Sequence, residues 1–134
     1  MSHKESLNPK ELFNSLQHGF SQITISNPGR HVFISGQVAW DENSNIVGQG
    51  NLGLQTRKTM DNLIIAIESA GGKLDNIVML RIYIVDYKRE DGAIISQVLK
   101  DTFGPDSPPA STWINVQGLA NEEFMIEIEA EAII

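Results

Sequence analysis

Between Phe124 and Ala132 the chain reads Phe-Met-Ile-Glu-Ile-Glu-Ala-Glu-Ala. Phe124, Ile126, Ile128, Ala130 and Ala132 fall on one face of an extended chain, and Glu127, Glu129 and Glu131 on the other. A period of two fits a half-buried strand and rules out a helix with a single buried stripe. Three carboxylates in a row on one strand face need water, cations or hydrogen-bond donors to meet them. The acidic face is therefore where function is expected. The stretch Pro109 to Gln117 alternates as well. Thr112, Ile114 and Val116 share one face, and Ser111, Trp113, Asn115 and Gln117 the other. With a polar turn between them, the two arms read as a hairpin.

The rest of the chain supplies the elements that such strands need. Residues 1–19 read as a polar, loosely held lead-in, with Leu12, Phe13 and Leu16 as a short docking turn at most. Phe20–Ser26 and His31–Ser35 flank Asn27-Pro28-Gly29, a turn signal, and read as a hairpin. Asp41–Asn45 is a second turn. Met60, Leu63, Ile64 and Ile67 recur at helical spacing, so a helix is expected over 52–70, capped by Asn51 and stopped at Gly71-Gly72. Burying those four side chains is worth about 6–12 kcal/mol, so packing rather than propensity should hold it. Ile77–Val85 reads as a strand with Leu80, Ile82 and Ile84 toward the helices and Met79, Arg81, Tyr83 and Val85 away. Asp91 is the candidate cap of a second helix with Ile95, Val98, Leu99, Thr102 and Phe103 on its apolar face, ended by Gly104-Pro105.

This order predicts an α+β fold with one sheet and both helices on a single face. The opposite face mixes Met79, Arg81, Tyr83, Trp113 and Glu127, and half-apolar surface of that kind points to self-association. A length of 134 residues suits one domain. The chain has no cysteine, which removes disulfides, thiol nucleophiles and thiolate metal sites and fits a reducing cytosol. No apolar run is long enough for a membrane span, and the first residues lack a signal-peptide core. A cytoplasmic protein with no membrane partner is expected. The formal net charge of -7, with no Lys/Arg cluster to offset it, argues against a nucleic-acid partner.

Isolated motifs do not add chemistry. Gly48-Gln-Gly-Asn-Leu-Gly53 matches G-x-G-x-x-G ahead of a helix, but the preceding strand is nearly absent, and loop glycines explain it. Phe33 stands where a G-x-S-x-G elbow around Ser35 would need glycine. His3, His18 and His31 lack metal-ligand spacing, and hard cations want oxygens converging from several elements rather than from one strand. No metal or cofactor is expected.

An ordered set of pieces does carry information: Phe33-Ile-Ser-Gly-Gln37, Gln55 and Asn62-Leu63 on the first helix, Ala70-Gly71, Ile82-Tyr83-Ile84-Val85-Asp86, Pro109-Ala110, and Glu127-Ile128-Glu129-Ala130. Over about residues 20–133 the chain resembles the Rid family, also called YjgF or L-PSP endoribonuclease-like. The resemblance implies a chorismate-mutase-like fold and a homotrimer around a barrel-like core, with small-molecule clefts between subunits. It also implies cofactor-free hydrolysis of reactive enamines and imines to ammonia and a 2-keto acid. In that family an arginine after the Pro-Ala pair binds the substrate carboxylate. A glutamate of the last strand and backbone groups of the Ser-Gly segment place water.

Here Ser111 stands in the arginine's position, and a hydroxyl cannot reproduce a bidentate guanidinium clamp. Trp113 stands where a small residue is usual, and Phe20 where a tyrosine is usual. The expected cleft comprises Phe20, Ser35, Gly36, Ser111 and Trp113, with Glu127 as the catalytic carboxyl. Without a cation nearby, the Glu127 pKa should rise. Arg81, of the same or a neighbouring subunit, is the candidate replacement cation, through pairing with Glu127 or Glu129. Efficient turnover of 2-iminopropanoate is not expected, and the aromatic walls favour a flatter or less acidic ligand. Three readings stay open: an imine or enamine deaminase, a non-enzymatic metabolite-binding or regulatory trimer, and an endoribonuclease or translation inhibitor.

Overall fold

The computed structural model describes residues 4–134; His3 and the start of the lead-in lie outside the described residues. The elements run β1 (Lys4–Leu7), a 3-10 turn (Leu16–His18), β2 (Ile23–Ser26), β3 (His31–Gln37), α1 (Leu52–Ser69), β4 (Ile77–Val85), α2 (Arg89–Phe103), β5 (Ala110–Val116) and β6 (Ile126–Ile133). Four strands form a mixed sheet in the order β3-β6-β4-β5. Only the β4–β5 pair is parallel, with α2 as the crossover that parallel pairing requires. Both helices cover one face of this sheet, giving the α+β architecture.

The core follows the expected periodicities. Met60, Leu63 and Ile67 of α1 and Ile95, Val98 and Leu99 of α2 are buried against Leu80, Ile82 and Ile84 of β4 and Ile126, Ile128, Ala130 and Ala132 of β6. β4 and β6 are the central strands because both carry an unbroken apolar row on that face. The Asn51 side chain accepts from the Leu54 N–H and caps α1. At α2 the cap shifts: Lys88 is the N-cap, and Asp91 instead accepts from the Lys88 N–H from within the first turn. The Asp41 carboxylate accepts from the Asn43 and Asn45 N–H groups and fixes the 41–45 turn.

Two expectations fail for one reason, that alternation assigns faces but does not choose neighbours, and a third fails for another. The 109–132 arms are not a hairpin, since β5 pairs with β4 and not with β6, which lies between β3 and β4. The 20–35 stretch is not a hairpin either. β2 pairs with β1, and β3 pairs with β6. Gly29 serves close packing there: a Cβ would sit 2.6 Å from the Ile134 carbonyl oxygen. Finally, residues 4–7 of the supposed lead-in form a paired strand. Lys4 is buried, its Nζ donating to the Ile77 carbonyl at 2.7 Å, and burial lowers its pKa to about 8. Among the described residues no helix is long and apolar enough to cross a membrane.

Candidate functional site

The acidic face of β6 meets β4. Register pairs Tyr83 with Glu127, Arg81 with Glu129 and Met79 with Glu131. The side chains bond along the diagonal. Arg81 Nη1 lies 2.9 Å from Glu131 Oε2, and the Tyr83 hydroxyl donates to Glu129. His31 Nε2 is 3.5 Å from the other Glu131 oxygen. Within the chain, Arg81 thus pairs with Glu131 rather than with Glu127 or Glu129. The tyrosine hydroxyl takes Glu129, and the guanidinium reaches the carboxylate where the His31 ring also stands.

Glu127 is the remaining carboxylate. Among the described residues it has neither a hydrogen bond nor an ion pair. It lies over the irregularity in the β3–β6 ladder between Ile34 and Gln37, where Ser35 and Gly36 sit. A Cβ on Gly36 would fall 2.0 Å from Glu127 Oε2, so only glycine lets the carboxylate occupy this position. Burial, and then the Glu129 charge, push the Glu127 pKa above the ordinary carboxylate value. Gly36 and Glu127 are therefore in close contact, with Ser35 the preceding residue of β3.

The other cleft residues come together elsewhere. Register sets Ser111 beside Leu80 and Trp113 beside Ile82, which places both on the helix-covered face. Trp113 Nε1 donates to Ser111 Oγ at 3.0 Å, so the hydroxyl that replaces the arginine is already engaged. The Phe20 and Trp113 ring centroids are 6.1 Å apart, and His18 stacks on Phe20 at 6.5 Å. His18, Phe20, Tyr87, Ser111 and Trp113 line a recess of about 290 Å³. Trp113 forms a wall of this recess and leaves it open.

Sequence reasoning missed His18 and Tyr87. Tyr87 has a recoverable signal. It follows the carboxyl end of β4 beside a parallel neighbour, where α/β sheets gather ligands. Its N–H donates to Asn115 Oδ1 at 2.9 Å, and its hydroxyl lies where a Cβ on Gly92 would be 2.6 Å away. His18 carries no comparable signal, because its ring reaches Phe20 through the 3-10 turn.

The expected cleft divides into two halves on opposite faces of one sheet. Ser35, Gly36 and Glu127 lie on the open face, and Phe20, Ser111 and Trp113 on the helix side. Trp113, expected on the open face with Arg81, Tyr83 and Glu127, lies instead on the helix side beside Ile82, although parity within each strand is as read from the sequence. The parity between strands depends on register, which the pattern does not encode.

A sequence model of the family described as Endoribonuclease L-PSP matches residues 14–134. The chain belongs to this family, also known as Rid. A RutC family protein of Pyrococcus horikoshii is 32% identical over 78% of this chain and 79% of its own length. The crystal structure of a Rid family protein of unknown function from Yersinia pestis has a TM-score of 0.94 and 34% identity, covering 98% of this chain and 99% of that one. TdcF of E. coli, solved with bound serine, has a TM-score of 0.70 and 26% identity over 81% of this chain and 84% of its own. The Rid signature residues on α1 serve the fold here. The buried Gln55 side chain bonds to the Gly48 and Glu123 carbonyls and the Met125 N–H, and Asn62 donates to the Val38 and Trp40 carbonyls.

Proposed function

We propose that this Rid protein is a homotrimer whose small-molecule cleft forms between subunits, joining the open-face half of one chain to the helix-side half of the next. One observation carries the reading. Glu127 is unpaired among the described residues, partly buried and raised in pKa, yet it lies on the opposite face from the Ser111–Trp113 recess. A partly buried carboxylate without a partner costs stability, and such groups gather at functional sites. The mixed open face, with Phe33 72% exposed, supports a neighbouring copy covering it.

The chemistry is hydrolysis of an imine or enamine. Water adds to the imine carbon while the Glu127 carboxylate takes its proton. The same carboxyl returns that proton to nitrogen to give a carbinolamine, and then carries the hydroxyl proton of the carbinolamine to nitrogen as the C–N bond breaks and the carbonyl forms. Ammonia leaves, and a carbonyl compound remains. A raised pKa suits a group that must both accept and donate near neutral pH. The serine bound to TdcF is a small amino acid, in keeping with a cleft for amino-acid-derived metabolites. Because Ser111 offers no guanidinium, 2-iminopropanoate is expected to be a poor substrate.

The test is ammonia release from imines generated in situ by an amino-acid oxidase. Wild type should outpace the uncatalysed reaction on at least one imine, and Glu127→Gln should lose that acceleration by a factor of about 10²–10⁴. An unimpaired Glu127→Gln would remove the carboxyl from the mechanism. A second reading, a metabolite-binding trimer without turnover, is favoured by the Trp113–Ser111 hydrogen bond that occupies the substituted position. Saturable ligand binding without ammonia release would select it. The endoribonuclease of the family description fits less well, because phosphate contacts draw mainly on Lys and Arg and the net charge is -7.

A further inference from the structure

A second hollow of about 410 Å³ adjoins the aromatic recess and shares His18, Tyr87 and Trp113 with it. Its floor is one face of α2: Arg89, Gly92, Ala93, Ser96, Gln97 and Lys100 recur at helical spacing along it. Its charge stands out against the whole chain. Acidic residues outnumber Lys and Arg by 17 to 10, yet no acidic side chain lines either hollow, while Arg89 and Lys100 line this one. Neither cation has an ion pair or a side-chain hydrogen bond among the described residues.

The nearby acids are engaged or exposed. Asp101 is held by Arg57 at 2.9 Å and by Gln97 at 2.8 Å. Asp86 pairs with Lys88 at 3.0 Å, and Asp91 accepts from the Lys88 N–H. Glu90 is exposed to solvent and screened. The net charge of the protein acts from farther off, and salt screens exposed charges beyond about 8 Å. Local cations therefore decide the potential in the hollow.

We infer that the trough along α2 is an anion subsite in which Arg89, assisted by Lys100, supplies the positive charge that position 111 lacks, so that the cleft takes an aromatic carboxylate rather than a small imino acid. The inference rests on the proposal that the Phe20–Ser111–Trp113 recess is the ligand cleft. It changes where the carboxylate sits. In the family pattern the cation stands on β5 itself and suits a small imino acid. Here the cation stands across Tyr87 and Trp113, so a ligand must extend between them to reach it. A flat body lying against the Trp113, Phe20 and His18 rings meets that need, since such rings pack on planar groups. Arg89 can then meet the carboxylate with two parallel N–H donors. Lys100 lies eleven residues along the helix, about 16 Å by helical rise, and contributes as a weaker point charge.

The experiment is calorimetric titration of the full chain with phenylpyruvate, its neutral methyl ester, and pyruvate. Phenylpyruvate should bind at least about tenfold more tightly than either of the others. Arg89→Gln should bring phenylpyruvate down to the level of the ester, about tenfold, a loss in the range of one charge-assisted hydrogen bond. Affinity for the ester should not change, which shows the recess to be intact. Lys100→Gln should cost two- to threefold. Equal affinity for acid and ester, no saturable binding of phenylpyruvate, or wild-type affinity in the Arg89→Gln/Lys100→Gln double variant would overturn the subsite. Glu127→Gln separates this inference from the reaction on which it rests. Loss of turnover in that variant, with phenylpyruvate binding insensitive to Arg89, sinks the subsite alone. Arg89-dependent binding without turnover of any imine sinks the reaction alone.

Discussion

The two faces of β4 and β6 are built from alternate residues of the same two strands, yet they have opposite economies. On the helix side, Leu80, Ile82, Ile84, Ile126 and Ile128 are at most 1% exposed and complete their packing within the chain. On the open side, Arg81 and Tyr83 satisfy Glu131 and Glu129, while Glu127 stays unpaired over Gly36 and Phe33 stays exposed. The first face explains why the chain folds. The second is incomplete within one chain, and its incompleteness is what a partner surface and a reactive carboxyl would use. Stability and function are divided across a sheet one residue thick.

The largest effect should come from the closed face. Ile128→Ala should cost about 2–5 kcal/mol, read as a lowered urea midpoint with little change in slope, because it leaves a cavity in a fully packed layer. A cost below about 1 kcal/mol would mean that the helix side is not the core described here.

Glu127→Gln probes the open face and should act in the other direction. The folded-state pKa of Glu127 is raised, so its contribution to stability is fully present below the unfolded carboxylate value, about 4.3, and is lost as pH rises through the folded value. The variant should therefore be more stable than wild type at neutral pH, by less than the Ile128 effect, and the two should converge below about pH 4. Urea titrations across this range provide the check. A stability gain paired with lost turnover would mark Glu127 as a group kept for function at a cost.

The smallest effect on the fold should come from Phe33→Ser, within about 0.5 kcal/mol for an exposed side chain. In sedimentation, however, the same change should weaken self-association. An unchanged assembly would show that Phe33 lies outside the contact.

The comparison also shows what the sequence could disclose. The faces of α1, α2, β4 and β6 were legible because period and apolarity agree at Met60, Leu63, Ile95, Ile82 and Ile128. The neighbours of β5 and β6 were not, because Trp113 and Glu127 each obey their own alternation whichever strand lies beside them. Strand β1 was missed since its four residues, Lys-Glu-Ser-Leu, owe their order to backbone pairing with β2 and to Lys4 on the Ile77 carbonyl. Of the candidate site, Gly36, Glu127, Ser111 and Trp113 were named from the family resemblance, but the contact of Gly36 with Glu127 and the hydrogen bond from Trp113 to Ser111 were not readable there. The separation of these two halves, and the walls supplied by His18 and Tyr87, depend on register and on loop paths that no local pattern encodes.

The central claim is that the two halves meet only between chains, and the absence of cysteine allows a direct measurement. A Ser111→Cys chain and a Glu127→Cys chain would be refolded together and treated with a short bis-maleimide, then resolved under denaturing conditions. The account predicts a covalent dimer in the mixture and little in either variant alone. No dimer from the mixture, with both cysteines shown to react with a simple maleimide, would contradict it.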